Sequence, residues 1–332
     1  MIIFIIRRIL YMVVVLFVIS LISFIIIELP PGDYLTSYIA RLKQTGGGTV
    51  SADQVAALRH QYGLDLPVYA RYFKWIWSVL QGDLGWSFQF NEPVWKLIQE
   101  RLGMTLVISL ATVVFSYAVA IPIGIYSAVK QYSLGDYLLT VFGFIGVAIP
   151  NFLMALLVMF ALFRYFGLSM GGLYSPQYDM APWSWGKFLD LMKHLPAPVL
   201  IIGLSNLTWL IRIMRGTLLD ELNKPYVEAS RARGLREVDL LFKYPVRIAL
   251  NPIISTIGYI LPGVFSGSTI VAIVLNLPTV GPLLFGALVS QDNYLAGSII
   301  LILSALTVLG TLISDILLLF TDPRIRLVEG KT

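Results

Sequence analysis

The side chains that most often carry out chemistry in proteins are scarce in this chain. Its 332 residues include no cysteine and two histidines, His60 and His194, which are far apart in the sequence. A cysteine nucleophile and a zinc–thiolate site are therefore excluded, and two distant histidines do not suggest a metal site. Enzyme classes that depend on a cysteine nucleophile or on a site built from cysteines and histidines are therefore not expected.

Two ionisable residues lie inside long apolar segments, where charge is costly and deserves a functional hypothesis. Glu28 stands one turn from the end of the first apolar segment, so we expect it to reach the membrane interface in a structural role. Asp315 stands near the end of the last segment. For Asp315 we favour an ion pair with Arg212 or Arg215 over a proton relay.

Uncharged polar residues of the apolar segments could line a watery path for a neutral or zwitterionic solute. Asn206 is the strongest candidate, because an unpaired amide in lipid is costly. The alternative is helix packing, in which hydroxylated residues are common without any solute. The candidate path-lining residues are Ser109, Thr112, Ser116, Asn206, Thr208, Ser266 and Ser268.

These residues need a membrane to position them. Hydrophobic residues make up 57% of the chain, charged residues make up 13%, and the mean hydropathy is +0.80. Ordinary soluble domains have about 25% charged residues. A long chain so poor in charge must have lipid as part of its solvent. Its net charge of +5 is therefore attributed to basic residues in cytoplasmic loops, where membrane proteins concentrate them. Nucleic acid is not an expected partner.

Six transmembrane helices are predicted, which makes the chain an all-α polytopic membrane protein. Each needs about 20 mostly apolar residues. An uncharged stretch between Arg247 and Asp292 is broken by prolines and indicates the fifth helix followed by a short, partly embedded outer segment. The other helices are predicted at residues 9–29, 102–129, 137–163, 195–211 and 293–320.

The basic residues of the short loops fall on one side of this arrangement, which the positive-inside rule identifies as the cytoplasm. We therefore expect both termini to be cytoplasmic. Residues 1–100 would contain the first helix and a large extracytoplasmic loop. Residues 101–320 would form a five-helix core with a cytoplasmic loop at about 216–250, and residues 321–332 a cytoplasmic tail.

An aromatic stretch in the extracytoplasmic loop has helical spacing. It runs from Tyr69 to Trp77 and includes Tyr72 and Phe73, and Leu80 continues the same spacing. Such a stripe most often indicates packing or an interfacial aromatic belt. A docking surface for an external binding protein is the alternative.

The large cytoplasmic loop contains signals for two short helices. Pro225 fits the first turn of one helix and Gly234 fits its C-terminal stop, with a left-handed backbone. A second helix is predicted from about Arg236 to Tyr244, ending near Pro245. The basic residues of this loop either only obey the positive-inside rule or also meet a partner.

The sequence Glu228-Ala-Ser-Arg-Ala-Arg-Gly234 resembles the EAA loop of ABC importer permeases. Further segments are similar to the oligopeptide and dipeptide branch of that family: Gly82-Asp-Leu-Gly-Trp-Ser87, Pro93-Val, Leu277-Pro-Thr-Val-Gly281 and Asp322-Pro-Arg-Ile-Arg326. The resemblance covers essentially the whole chain. It implies the type I ABC importer permease fold in the cytoplasmic membrane of a bacterium or archaeon.

The resemblance also implies a role and a set of partners. In that family the short helix of the loop docks into a cytoplasmic ATPase, which assigns ATPase coupling to Glu228, Ala229, Ser230 and Gly234. Glu228 could cap the helix, pair with Arg231 or meet a cation on the ATPase. The implied partners are a second homologous permease subunit, two ATPase subunits and an extracytoplasmic solute-binding protein. No cofactor is expected in this chain, and ATP and Mg would belong to the ATPase subunits.

Departures from the family pattern bear on the solute. Gly103 replaces a usual Pro, and Ser230 stands where Ala is common. Ala272, Thr279 and Gln291 stand where peptide permeases typically have Glu, Gly and Arg. Peptides or similar oligomeric solutes are the expected cargo, with oligosaccharides or another solute, such as a nickel complex, as the alternative.

Two other functional classes fit the sequence less well. The chain contains no phosphate-binding loop, so it is not expected to be an enzyme that hydrolyses ATP. An intramembrane enzyme would need paired acids, a histidine cluster or an activated serine at membrane depth. A secondary transporter would normally show internal repeats, interrupted helices and a buried ionisable coupling site. Neither pattern is convincing here.

Overall fold

The structure is a computed structural model that describes residues 2–28, 65–167, 171–257 and 268–321. Its described residues divide into two compact units. The first unit draws on residues 1–104 and 279–305, and the second on residues 105–278 and 306–332. The predicted tail and the part of the extracytoplasmic loop before residue 65 lie outside the described residues.

Helices dominate both units, and one small antiparallel hairpin pairs Trp86 with Pro93 and Ser87 with Glu92. In chain order the elements are α1 (Ile2–Glu28), α2 (Val68–Leu80), β1 (Trp86–Ser87), β2 (Glu92–Pro93), α3 (Val94–Val129), α4 (Leu134–Ala148), α5 (Asn151–Phe166), α6 (Pro176–Asp179), α7 (Trp185–His194), α8 (Pro196–Leu222), α9 (Pro225–Ala232), α10 (Glu237–Lys243), α11 (Pro245–Ser255), α12 (Thr269–Val274), α13 (Val280–Val289) and α14 (Asn293–Thr321).

Four helical segments of the described chain are long and apolar enough to cross a membrane. They are Ile6–Glu28, Val94–Val129, Trp185–Leu222 and Asn293–Leu318. They overlap the predicted first, second, fourth and sixth spans, and the second and fourth begin earlier in the chain than predicted. The predicted all-α membrane fold is therefore confirmed, while the count of six spans stays a prediction.

The third predicted span differs from the expected continuous helix. It consists of α4 and α5, which meet at an angle of 104°. Pro150 lacks a backbone N–H and restricts the residue before it to extended conformations. Ile149 accordingly has φ −107° and ψ 123°, so α4 ends there and α5 begins in a new direction.

The fifth predicted span is described in part. Helix α11 and helix α12 flank residues 258–267, which lie outside the described residues, so this span stays a prediction. The predicted outer segment that follows contains α13, a short apolar helix. Asn276 and Gln291, on either side of α13, both have positive φ and mark turns there.

The core of the first unit lies where the end of α1 meets α3, α13 and the start of α14. Val94, Ile98, Leu295 and Ile299 are completely buried within it. Where lipid replaces water around these helices, the close packing of such side chains stabilises the contact. This packing holds the start of α3 and the start of α14 together, on either side of the hairpin.

Asp292 fixes the hairpin to the start of α14. Its Oδ2 atom accepts hydrogen bonds from the Ser87 hydroxyl at 2.6 Å and from the Gln89 backbone N–H at 3.0 Å. Its Oδ1 atom accepts one from the Leu295 N–H at 3.2 Å, as an N-terminal cap of the helix does. Burial raises the pKa of the Asp292 carboxyl, and the hydrogen bonds from Gln89 and Ser87 oppose that rise.

Helix α8 is the centre of the second unit and packs against α4, α5 and α11. Leu210, Met214 and Leu218 are completely buried along it. A close approach to α4 depends on Gly146, because a Cβ atom there would overlap the Leu204 carbonyl group. Helix α8 is therefore well packed up to the point where the chain enters the loop that contains α9 and α10.

Candidate functional site

Helix α9 has the form that the sequence predicts. Pro225 occupies its first turn, where a missing N–H leaves no bond unmade. The helix ends at Ala232, and Gly234 has φ +79°, a left-handed conformation that favours glycine. Val227 is completely buried and attaches α9 to the second unit. The predicted two-turn helix and its glycine stop are confirmed.

Helix α10 follows after four residues, and one side of it is likewise buried. Leu240 is buried, whereas Val238 and Phe242 are 63% and 57% exposed. These two residues are four positions apart, so they lie on one face of the helix. Sequence reasoning did not single them out, although the apolar pair in a strongly charged loop was a visible signal.

An ion pair connects the two short helices across Gly234. The Arg231 Nε atom donates to Glu237 Oε1 at 2.6 Å, and Arg231 Nη2 donates to Glu237 Oε2 at 3.3 Å. Arg231 thereby holds the pKa of the Glu237 carboxyl below its ordinary value. The two-pronged geometry of this contact suits guanidinium and carboxylate. Glu228 also acts on the Arg231 charge, and its pairing with Arg231 stays one of its predicted roles.

Three of the four residues that the family resemblance assigns to coupling are exposed, on α9 or just after it. Glu228, Ala229 and Gly234 are exposed. Ser230 is half-buried, and its hydroxyl donates to the Tyr226 carbonyl at 2.7 Å. The hydroxyl of Tyr226 donates in turn to Glu221 at 2.6 Å, and burial together with this bond raises the pKa of Tyr226. A row of internal hydrogen bonds thus stiffens the inner side of the helix.

The base of the loop carries an ion pair that sequence reasoning missed. Arg215 of α8 donates to Asp136 of α4 at 2.9 Å, and the Tyr132 N–H donates to the same carboxylate oxygen at 3.0 Å. The structure pairs Arg215 with Asp136. The predicted ion pair of Asp315 with Arg212 or Arg215 stays a prediction. Asp136 could have been considered, since its hairpin turn is predicted to lie on the same side of the membrane.

The candidate path-lining residues of α3 share one buried face. Ser109, Thr112 and Ser116 are all buried, and Ser116 donates to the Gly203 carbonyl of α8 at 3.5 Å. Among the described residues, the Thr112 hydroxyl is buried and has no hydrogen-bond partner. Helix packing therefore accounts for the polarity of Ser116 better than for that of Thr112.

The remaining candidates are spread over other elements. Thr208 of α8 donates to the Gly143 carbonyl of α4, which is again a helix-packing contact. Asn206 is half-buried, and Ser268 is half-buried at the start of α12. Ser266 lies outside the described residues. A path through these residues stays a prediction.

Glu28 has the structural role expected of it, with partners that the sequence did not reveal. Its carboxylate forms an ion pair with Arg71 of α2 at 2.8 Å and accepts a hydrogen bond from the Asn293 amide at 2.6 Å. Both partners lie in the first unit with it. These bonds connect the end of α1 to α2 and to the start of α14.

Comparison with known proteins identifies the relatives of this chain. Residues 120–327 match the family described as "Binding-protein-dependent transport system inner membrane component", and residues 1–111 match the description of its N-terminal part. The oligopeptide transport system permease protein AppB of Bacillus subtilis is 33% identical over 97% of this chain and 98% of its own length. The dipeptide transport system permease protein DppB of Escherichia coli K12 is 27% identical over 97% and 98%.

A third relative is named for a different solute. The nickel import system permease protein NikB of Staphylococcus aureus is 28% identical over 98% of this chain and 94% of its own length. All three relatives are matched along nearly their entire lengths. The chain therefore belongs to the family of inner-membrane components of binding-protein-dependent transport systems.

Proposed function

We propose that this permease forms half of the translocation path of an ABC importer for peptides or similarly sized oligomeric solutes. It would receive the motion of a cytoplasmic ATPase through the coupling element, which we define as α9, Gly234 and α10. The observation that carries the proposal is the form of this element: it is anchored on one side and presents a small-residue and apolar surface on the other.

The coupling element is suited to transmit force. Val227 and Leu240 anchor its two helices in the second unit, and the Arg231–Glu237 ion pair links them. On the outer side, the small Ala229 allows a partner surface to come close. Docking would also bury Val238 and Phe242, a gain of up to about 1.5–3 kcal/mol for each side chain.

The proposed assembly contains one further homologous permease subunit, two ATPase subunits and an extracytoplasmic solute-binding protein. ATP and Mg would bind to the ATPase subunits, because this sequence has no phosphate-binding loop. A single chain of this size is expected to enclose too little surface for a large solute path. Purification in mild detergent should retain the second permease subunit and the two ATPase subunits, and a transport-competent homodimer of this chain would contradict the proposal.

The solute is proposed from the relatives. Relatives named for oligopeptides and for dipeptides favour a peptide, whereas the nickel import relative favours a metal complex as the second candidate. Oligosaccharides remain an alternative from the sequence. Binding measurements on the partner binding protein with panels of peptides, oligosaccharides and nickel complexes would decide among them.

Three substitutions test the coupling element. Ala229→Trp adds bulk to the docking surface, and Gly234→Val places a β-branched residue at positive φ, which is strongly disfavoured. Both should reduce solute uptake and ATPase co-purification while membrane abundance stays at the parent level. Glu228→Ala should be milder, with a loss of about 1–3 kcal/mol if the carboxylate meets a cation at a partly desolvated interface.

Matched controls separate coupling from folding. Ala229→Ser keeps a small side chain, and Gly234→Asn keeps a residue that tolerates the left-handed conformation. Both controls should retain most of the uptake. If Ala229→Trp and Gly234→Val insert normally and keep both uptake and ATPase retention at the parent level, the coupling assignment fails. Stimulation of ATPase activity by the loaded binding protein would also distinguish this importer from a secondary transporter.

A further inference from the structure

Helix α2 has three distinct sides. One side faces the first unit, where Tyr72 and Trp75 are buried and Ile76 and Val79 are partly buried. A second side is polar and carries Arg71, Lys74 and Ser78. The third side is apolar and outward: Tyr69, Phe73, Trp77 and Leu80 are 69%, 63%, 64% and 75% exposed. The aromatic stripe predicted from the sequence is therefore two stripes with different surroundings.

The buried side of α2 is attached to the last turns of α1. Tyr72 shares a hydrogen bond of 2.8 Å with Ser20, and its ring lies 5.4 Å from that of Phe24, edge to face. Trp75 stacks on Phe24 with ring centroids 5.8 Å apart. With the ion pair between Arg71 and Glu28, α2 contacts α1 at three successive turns.

These contacts fix the depth of α2 relative to α1. The helix rises about 1.5 Å per residue, so Ser20 lies about 12 Å along the axis from Glu28. Glu28 stands where the apolar sequence of this membrane-spanning helix ends. The body of α2 therefore lies beside the last third of α1, at the level where hydrocarbon gives way to headgroups at that end of the helix.

The surface of α1 beside this contact is open and apolar. Ile22, Ile25 and Ile26 are exposed in the same turns whose other side packs against α2. In a membrane-spanning helix such side chains face lipid. The outward aromatic side of α2 thus lies at the same membrane depth as the lipid-facing surface of α1.

We propose that the face of α2 formed by Tyr69, Phe73, Trp77 and Leu80 lies in the lipid at the headgroup–acyl boundary, as an interfacial membrane anchor of the first unit. Its composition fits this occupant, because tyrosine and tryptophan concentrate at membrane interfaces. Lys74, on the polar side, can extend its ammonium group to the headgroups and water. The inference rests on membrane location and is independent of the proposed solute and of the coupling element.

A photo-crosslinking experiment tests this placement in the assembled transporter. The complex is reconstituted into phosphatidylethanolamine–phosphatidylglycerol nanodiscs with p-benzoylphenylalanine in place of Phe73, Trp77 or, as the matched control, Lys74. After irradiation, mass spectrometry of the peptides should show several-fold more phospholipid adduct at positions 73 and 77 than at 74. Equal adducts at the three positions, or adducts to a protein in place of lipid at 73 and 77, would overturn the proposal.

Spin labels provide a second measurement if a crosslinking variant fails to assemble. The chain has no cysteine, so Phe73→Cys, Trp77→Cys and Lys74→Cys give single labelling sites once the partner subunits are free of cysteine. Labels at 73 and 77 should collide more with oxygen than with a water-soluble nickel chelate, and the label at 74 should show the reverse. Preferential collision of all three labels with the chelate refutes the anchor. Immobilisation of 73 and 77 only when the binding protein is added would assign the face to that protein.

Discussion

Arg215 and Asp136 connect two helices at the base of the loop that contains the coupling element, with 2.9 Å between Nη2 and Oδ2. Asp136 is buried near the start of α4, and Arg215 lies in the last two turns of α8, just before the coupling element. The same carboxylate accepts from the Tyr132 N–H, so the turn between α3 and α4 is held as well. One contact therefore joins the turn that follows α3 to the helix from which the coupling element emerges.

Removing Arg215 should destabilise the protein more than removing the whole pair. Arg215→Gln leaves a buried carboxylate without its cation. Breaking a fully buried pair from one side costs about 3–5 kcal/mol, and the loss here should be smaller because the Arg215 side chain is 30% exposed and Tyr132 and Thr140 still donate to Asp136. The double variant Asp136→Asn with Arg215→Gln removes both charges and should recover part of the loss. The temperature at which the detergent-solubilised complex aggregates should be lowest for Arg215→Gln, higher for the double variant and highest for the parent. An Arg215→Gln complex as stable as the parent would contradict the role of the pair.

The coupling element could be predicted from the sequence because its signals are local. Pro225 and Gly234 act through the backbone conformation of their own and adjacent residues, and they set the limits of α9 without help from the rest of the chain. The apolar runs of α1 and α14 were equally readable, since membrane thickness alone sets their length. Such features need no knowledge of which helices touch.

The contacts that hold the fold together were not predictable in the same way. Arg71 pairs with Glu28, and Arg215 pairs with Asp136, across long stretches of chain whose folding brings them together. The apolar pattern of the sequence predicts the helices, but it does not predict which basic side chain pairs with a given acidic one. The bend at Pro150 had a local signal in the sequence, but the long uncharged run around it predicted one continuous span. In the structure the helix bends there, because a proline restricts the backbone of the residue before it.

The carboxyl group of Asp292 should give the parent a pH dependence that Asp292→Asn lacks. Burial raises its pKa in the folded protein above the ordinary value of about 3.9, so the folded state binds this proton more tightly than the unfolded state does. Its contribution to stability is therefore greatest below that ordinary value. The contribution falls as pH rises toward the folded pKa and is constant above it.

Thermal unfolding of the complex from pH 4 upward measures this effect. As pH rises, the unfolding midpoint of the parent should fall relative to that of Asp292→Asn. Ser87→Ala is the matched control, because it removes one hydrogen bond to Asp292 and keeps the carboxyl group. A midpoint difference that does not change with pH, or that shifts in favour of the parent, would show that burial does not raise this pKa.

The orientation of the chain can be tested with cysteine substitutions at one position on each predicted side. Gly47→Cys lies in the predicted extracytoplasmic loop and Arg233→Cys in the coupling element. In intact cells, a membrane-impermeant thiol reagent should label position 47 and spare position 233, and both should react after the membrane is opened. Labelling of 233 with sparing of 47 in intact cells would reverse the topology.

The exposed pair on α10 should contribute to ATPase binding beyond the residues that the family resemblance assigns. Val238 and Phe242 leave α10 on the side opposite the buried Leu240, so a charge placed there should not disturb the anchor of the helix. Val238→Asp with Phe242→Asp removes the apolar surface and adds two charges to a docked interface. We expect normal membrane abundance with a severalfold loss of both ATPase co-purification and uptake. Val238→Ala with Phe242→Leu is the matched control, because it keeps the face apolar, and it should retain most of both. If the aspartate variant binds the ATPase as tightly as the parent, α10 lies outside the interface, and docking would then rest on α9 and Gly234 alone.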